Sequence, residues 1–253
     1  MPSRQRTGAP FLRSVMSLPD KIDPSRYPFN VLAFAKGIDL TFTRKVTFFV
    51  GENGSGKSTL LEAIAECCGF NPEGGNRDHH RAVFADRSAL AQALRLSWQP
   101  KVTEGFFMRA ESFYNFATYL DTVSDLRAYG GKSLHEQSHG ESFISLFANR
   151  FEQGVYILDE PEAALSPQRQ LSFLKIIHDL SAPGHAQFLI ASHSPIILSY
   201  PHAILFTLDG ERIEPIEYRE TKHFLITRDF LNSPERFFKH LLAPVEEDTA
   251  DAS

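Results

Sequence analysis

Apolar residues along this chain gather into short, nearly unbroken runs, and between the runs they recur at helical spacing. The runs are FNVLAF (29–34), KVTFFV (45–50), GFFMRA (105–110), VYILD (155–159), QFLIAS (187–192) and AILFTL (203–208). A strand covered on both faces has no wet side to mark with polar residues. Continuous Val, Ile, Leu and Phe therefore predict the interior of a largely parallel sheet. Helical spacing predicts helices over 57–68, 87–95, 112–123, 141–151, 167–181 and 234–242. Two of these carry start signals, Ser166-Pro167 and Ser233-Pro234, each a capping hydroxyl followed by a proline suited to the first helical position. In 141–151, Phe143, Ile144, Phe147 and Phe151 share one face, so that helix packs on something. Strands alternating with helices predict an α/β fold with helices on both faces of a mostly parallel central sheet. The runs before residue 50 predict an antiparallel N-terminal flank. No repeat, heptad or low-complexity linker divides the chain. Residues 10–242 read as one domain with a small helical subdomain at about 70–145, between a loose N-terminus (1–9) and an acidic, disordered tail (243–253).

Composition narrows the function classes. Of 253 residues 42% are hydrophobic and 23% charged, the balance of a soluble globular protein. A net charge of −5 supplies no global basic field for nucleic acid, although it leaves room for a local basic groove. No apolar stretch reaches the roughly 18–20 residues that a membrane-spanning helix needs. The opening MPSRQRTGAP lacks the apolar core of a signal peptide, and the only cysteines, Cys67 and Cys68, are adjacent. The expectation is a cytoplasmic, reduced location.

The chemistry begins at GENGSGKSTL (51–60), directly behind the run VTFFV. Gly51, Gly56, Lys57 and Ser58 fit G-x-x-x-x-G-K-[ST] between a strand and a helix. Glycines let the backbone turn tightly and bring its N–H groups onto phosphate oxygens. The helix N-terminus adds a partial positive charge. Gly51, Asn53, Gly54, Ser55, Gly56, Lys57, Ser58 and Thr59 are thus the candidate nucleotide-binding residues, with Lys57 on the β- and γ-phosphates and the Ser58 hydroxyl on Mg²⁺. VYILDEPE (155–162) is an apolar strand ending in two carboxylates. Asp159 is placed to hold Mg²⁺ and Glu160 to polarise an attacking water as general base. QFLIASHSP (187–195) ends a further strand in His193, a candidate sensor of the γ-phosphate.

The order GENGSGKST, QSHGES (137–142), VYILDEPEAAL, ASHSP resembles the ATPase domain shared by ABC transporters and the chromosome-organising and break-repair ATPases. It is particularly similar to small, single-domain bacterial AAA family ATPases built on this ABC-type head, and the resemblance spans roughly residues 10–242. It implies an ABC-type P-loop ATPase fold, ATP and Mg²⁺ as ligands, and ATP hydrolysis. It also implies an ATP-dependent homodimer in which Ser138 and the Gly140 backbone, at the start of helix 141–151, close over the γ-phosphate of a partner subunit's ATP. Ala164-Leu165-Ser166 falls at the family's D-loop, with Gln168 and Arg169 just beyond.

Departures shape the choice of role. The transporter signature LSGGQ reads QSHGE here, an S-x-G-E form closer to the chromosomal branch. The family's Q-loop glutamine is not evident, and Glu111 stands nearest to its place as a further Mg²⁺ or water contact, against the plain reading of a surface carboxylate. Phe29 and Phe34 are candidates for adenine stacking or simply core. Cys67 and Cys68 with His79 and His80 do not fit a common zinc spacing. Arg77, His79, His80 and Arg81 make a cationic loop that reads as solvated surface or as a contact to nucleic acid or a partner. The aromatic cluster Phe106, Phe107, Phe113, Tyr114, Phe116 and Tyr119 reads as core or as a docking groove.

Three roles follow. The first is a stand-alone soluble ATPase whose ATP-driven dimer acts on a macromolecular partner, whether protein, membrane permease or DNA. The second is the ATP-binding subunit of an importer-like transporter with a separate permease, peripheral to the membrane. The third is a catalytically poor switch, against which Asp159, Glu160 and His193 weigh. Within the chromosomal branch a repair-related role is a further alternative, although too few residues separate Lys57 from Ser138 for a long coiled coil.

Overall fold

The computed structural model describes residues 8–71, 74, 87–109 and 153–242. Two sheets form its frame. The larger has the order β5-β6-β7-β3-β8-β9, built from β3 (Val46–Val50), β5 (Gly105–Arg109), β6 (Gly154–Asp159), β7 (Ala186–Ala191), β8 (Ala203–Thr207) and β9 (Glu214–Ile216). Its first five members pair in parallel, and β9 runs antiparallel to β8. Every residue of β3, β6 and β7 is buried, so the unbroken apolar runs do mark the sheet's interior.

Each strand divides its side chains between two cores. Phe49 of β3 faces α1 (Lys57–Cys68), joining Leu60, Leu61 and Ile64. Its neighbours Phe48 and Val50 face α3 (Pro167–Ser181) and α4 (Pro195–Leu198), joining Phe173, Ile177 and Ile197. Period-2 alternation on a sheet covered twice thus appears as a continuous apolar sequence. The ends of α1 and α3 fall where helical spacing set them.

The antiparallel flank exists, but its strands are β1 (Leu12–Ser17), β2 (Asp39–Thr41) and β4 (Leu94–Trp98), in the order β2-β1-β4. Gln187 fastens it to the main sheet from the start of β7. Its Oε1 accepts from the N–H groups of Phe11 and Leu12, both at 2.8 Å, and its Nε2 donates to the Leu12 carbonyl at 2.9 Å. A buried amide with its oxygen and nitrogen both engaged is a fixed joint rather than a penalty. Ala9 is already buried, its N–H donating to the Gly184 carbonyl, inside the stretch that composition marked as loose.

Three expectations need correction. FNVLAF is not a strand: it runs through turns into a 3-10 turn at Leu32–Phe34 and delivers Phe29, Ala33 and Phe34 to the core. The apolar content reported burial correctly, but successive turns supply the backbone bonds. The span 87–95 is only briefly helical, as α2 (Ala89–Ala93), before LRLSW continues as β4 with Arg95 and Ser97 exposed. Ser166 and Ser233 do precede helices, α3 and α6 (Pro234–Leu241), yet neither hydroxyl caps. The Ser166 carbonyl instead accepts from the N–H groups of Arg169 and Gln170. Two further helices, α4 and α5 (Lys222–Asn232), have no counterpart in the sequence reading. The expected helices 112–123 and 141–151, the cationic loop 77–81 and most of the helical subdomain lie outside the described residues.

Candidate functional site

Strand order places the site. β6, β7 and β3 are neighbours and parallel, so the loops after their C-terminal ends meet at one edge of the sheet. Those loops carry Glu160 after β6, His193 after β7 and the phosphate-loop sequence after β3. The adjoining β8 adds Asp209.

The loop's glycines are required by contact as well as by angle. A Cβ on Gly56 would lie 2.7 Å from Cζ of the buried Phe34, at a φ of +100°. A Cβ on Gly51 would lie 2.7 Å from the Ser55 hydroxyl and 3.0 Å from Asp209 Oδ1. Asp209 Oδ1 also accepts from the Glu52 N–H at 2.7 Å, pinning the loop's start. Lys57 is 4% exposed, and its ammonium donates back to the carbonyls of Gly51 (2.8 Å) and Glu52 (3.1 Å). Burial pushes the Lys57 pKa down, while Glu160, Asp159, Asp209 and Glu162 push it back up. Thr59, in the first turn of α1, shares a hydrogen bond with the Tyr27 hydroxyl at 3.0 Å. Asn53 and Gly54 form the solvent-facing turn of the loop.

The Ser58 hydroxyl donates to Asp159 Oδ1 at 3.2 Å, which joins the two expected Mg²⁺ residues across 101 positions of sequence. Asp159 is buried, and that burial raises its pKa against the lowering effects of Ser58 and Arg109. Arg109, at the end of β5, lies with Nε 3.6 Å from Asp159 Oδ2 and Nη1 2.7 Å from Glu62 Oε1. Glu160 sits at φ +50°, ψ +52°, the one non-glycine residue with positive φ among those described. For a side chain with a Cβ this left-handed conformation costs of order 1–2 kcal/mol. It is held by the Glu160 N–H bond to the Ala191 carbonyl (3.0 Å) and turns a half-exposed carboxylate toward the site.

His193 is gripped on three sides. Its N–H donates to Glu162 Oε1 at 2.5 Å, its Nδ1 faces His223 Nε2 at 2.8 Å, and its Nε2 lies 3.3 Å from Glu160 Oε1. That last approach is not aligned as a hydrogen bond, so the buried Nε2 has no hydrogen-bond partner. Ser55 Oγ is likewise buried without one. Burial raises the Glu162 pKa, opposed by its bond from the His193 N–H.

The structure therefore brings together Gly51, Asn53, Gly54, Ser55, Gly56, Lys57, Ser58, Thr59, Asp159, Glu160 and His193. Ser138, Gly140 and Glu111 lie outside the described residues. Phe29 and Phe34 are core, 5% and 1% exposed, and cannot stack on a ligand. Phe106 and Phe107 are core as well. Cys67 donates its thiol to the Ala91 carbonyl at 3.3 Å, and burial pushes its pKa up to about 11, away from the thiolate that a metal binds. Sequence reading missed Tyr27, Arg109, Glu162, Asp209, Lys222 and His223. Only Asp209 carried a signal, since AILFTLD repeats the pattern of an apolar run ending in a carboxylate seen in VYILD.

These residues fit Mg-ATP. Orphaned Ser55 Oγ and His193 Nε2 offer donors to oxygen, Lys57 is a buried cation, and Ser58 with Asp159 is a hard-oxygen pair of the kind Mg²⁺ takes alongside phosphate and water. Among the described residues no group of three or more His, Cys, Asp or Glu could hold a metal ion.

A profile described as "AAA domain" matches residues 29–106, and one described as "AAA domain, putative AbiEii toxin, Type IV TA system" matches residues 135–199. The chain is 26% identical over 225 residues to the ribose import ATP-binding protein RbsA of Burkholderia mallei, covering 78% of this chain and 43% of that one. It is 24% identical over 242 residues to the macrolide export ATP-binding/permease protein MacB of Burkholderia lata, covering 83% of this chain and 31% of that one. It thus spans less than half the length of these curated relatives. Among solved structures it is similar to cbiO1 from Clostridium perfringens, part of the ABC transporter complex cbiONQ. That match has a TM-score of 0.50 and 17% identity, over 92% of this chain and 100% of that one.

Proposed function

We propose that the chain is an ABC-type P-loop ATPase domain that binds Mg-ATP, hydrolyses it slowly, and uses the cycle to act on a macromolecular partner. The observation that carries this reading is the convergence of Lys57, Ser58, Asp159, Glu160 and His193 from three separate loops onto one sheet edge.

The loop from Gly51 to Thr59 receives the phosphates, with backbone N–H groups and the start of α1 facing them. Lys57 exchanges its two carbonyl partners for terminal phosphate oxygens. Exposed Tyr27, beside Thr59, takes the adenine face in place of Phe29 or Phe34. Ser58 and Asp159 would hold Mg²⁺, with Glu111 as a candidate further Mg²⁺ or water contact. When bound, the ion would neutralise negative charge on the terminal phosphates. Glu160 accepts a proton from the attacking water, and His193 Nε2 donates to the γ-phosphate oxygen that gains charge.

The site is completed in trans. Ser138 and Gly140, just ahead of the helix that the sequence predicts over 141–151, would cover the γ-phosphate held by the other subunit of a two-fold homodimer. A second reading, the ATP-binding subunit of a membrane transporter, is favoured by the RbsA and MacB relatives and the cbiO1 likeness. It would place the chain at the cytoplasmic face of a permease. No helix among the described residues is long and apolar enough to cross a membrane.

Light scattering on Glu160→Gln tests the dimer. The expected result is a monomer without nucleotide, a dimer in Mg-ATP, and loss of the dimer in the double variant with Ser138→Arg. A Glu160→Gln protein that stays monomeric in saturating Mg-ATP at tens of micromolar contradicts it. Retention of a many-spanning permease by the trapped dimer would select the transporter reading.

A further inference from the structure

The histidine pair at the edge of the site makes a chemical argument of its own. The two facing nitrogens, His193 Nδ1 and His223 Nε2, are 2.8 Å apart, so one must carry a proton and the other must not. The opposite nitrogen of His193 settles which. Its Nε2 lies 3.3 Å from a Glu160 oxygen, and a carboxylate can only accept. A bare lone pair there would face negative charge. In a neutral His193 ring Nε2 therefore bears the hydrogen, Nδ1 is the acceptor, and His223 Nε2 is the donor.

His223 is placed to do this by elements independent of His193. The Thr221 hydroxyl caps α5 by accepting from the Phe224 N–H (3.3 Å), and Thr221 is 1% exposed. The Tyr218 ring packs on Phe224 at 4.8 Å between centroids, and its hydroxyl donates to the Pro195 carbonyl at 2.9 Å, two residues past His193. Lys222 reaches Glu52 of the phosphate loop (3.3 Å) and Asp209 (3.5 Å). Half-burial, then the neighbouring His193 and Lys57, hold the His223 pKa below its ordinary value, which keeps the ring neutral near pH 7.

We propose that His223 is a positioning residue for hydrolysis: its Nε2–H fixes His193 in the tautomer that presents Nε2–H to the γ-phosphate. The start of α5 thereby belongs to the active site. This rests on the ATPase reading above for its catalytic consequence, but the tautomer itself exists without nucleotide.

The experiment uses the full chain with ¹⁵N-labelled histidine rings, and the His193 signals are identified by their loss in His193→Asn. Nitrogen shifts of the nucleotide-free protein should show a protonated Nε2 and a bare Nδ1 on His193. His223→Gln, whose amide N–H stands near the place of Nε2, should preserve that signature. His223→Leu and His223→Asn, which lack a donor there, should mix the two tautomers. In steady-state turnover these two should lose about 10-fold in kcat, with KM for ATP changed less than about 2-fold, and His223→Gln should recover most of the loss. An unchanged His193 signature in both donorless variants overturns the proposal. So does His223→Gln falling as far as His223→Leu with its fold intact. A wild-type protein that shows the fixed tautomer but no turnover would instead remove the ATPase reading and leave the positioning role of His223 standing.

Discussion

Two helices of similar length begin at this site with a lysine, and they are built in opposite ways. α1 opens at Lys57, 4% exposed, and buries Leu60, Leu61, Ala63, Ile64, Ala65 and Cys68 behind it. α5 opens at Lys222, whose side chain is 55% exposed, and buries none of its own residues. α1 is part of the core, so its lysine is held by packing and cannot leave without disturbing the fold. α5 meets the site through polar groups, namely Lys222 on Glu52 and Asp209, and His223 on His193. The difference teaches that burial fixes the phosphate machinery, while its adjustment comes from a helix that the core does not hold.

The comparison is broken most severely at Lys57. Lys57→Ala should abolish nucleotide binding, or nearly so, and turnover with it. Binding of a fluorescent ATP analogue checks the first and phosphate release the second. The equivalent Lys222→Ala should leave binding in place. Next in size is the packing behind each lysine. Ile64→Ala, at a fully buried position of α1, should lower stability by about 2–5 kcal/mol in denaturant unfolding. Ile226→Ser, at a position of α5 that is 59% exposed, should stay within about 0.5 kcal/mol of wild type. Equal losses at the two positions would show that α5 is covered in solution.

The smallest effect is in pH. A histidine with a depressed folded pKa contributes stability that is present above its ordinary value near 6.5 and is lost as pH falls through the folded value. Wild type should therefore lose melting temperature relative to His223→Gln between pH 7 and pH 5. An offset between the two that is independent of pH would contradict the neutral ring.

Much of this arrangement was readable because it is local. A phosphate loop is a strand, a turn and a helix start within about 20 residues, and each step leaves its pattern in GENGSGKSTL. The same holds for VYILDEPE and for α3. The residues that escaped reading arrive from elsewhere: Arg109 from the end of β5, Asp209 from the end of β8, His223 from a helix 30 residues beyond His193. Their place is set by sheet order and by α5 folding back, which no local period encodes. FNVLAF and LRLSW show the converse limit. Apolar content reports burial whatever the backbone, and helical spacing over 87–95 ran on into residues whose alternating burial belongs to a strand.

The central claim is that Glu160, turned into the site by its left-handed backbone, is the base for ATP hydrolysis. The direct test is a paired measurement on Glu160→Gln: stoichiometric Mg-ATP binding and single-turnover phosphate release. Binding equal to wild type with release slowed about 100- to 10,000-fold is the predicted result. A variant that binds ATP and still releases phosphate at more than about half the wild-type rate would contradict it.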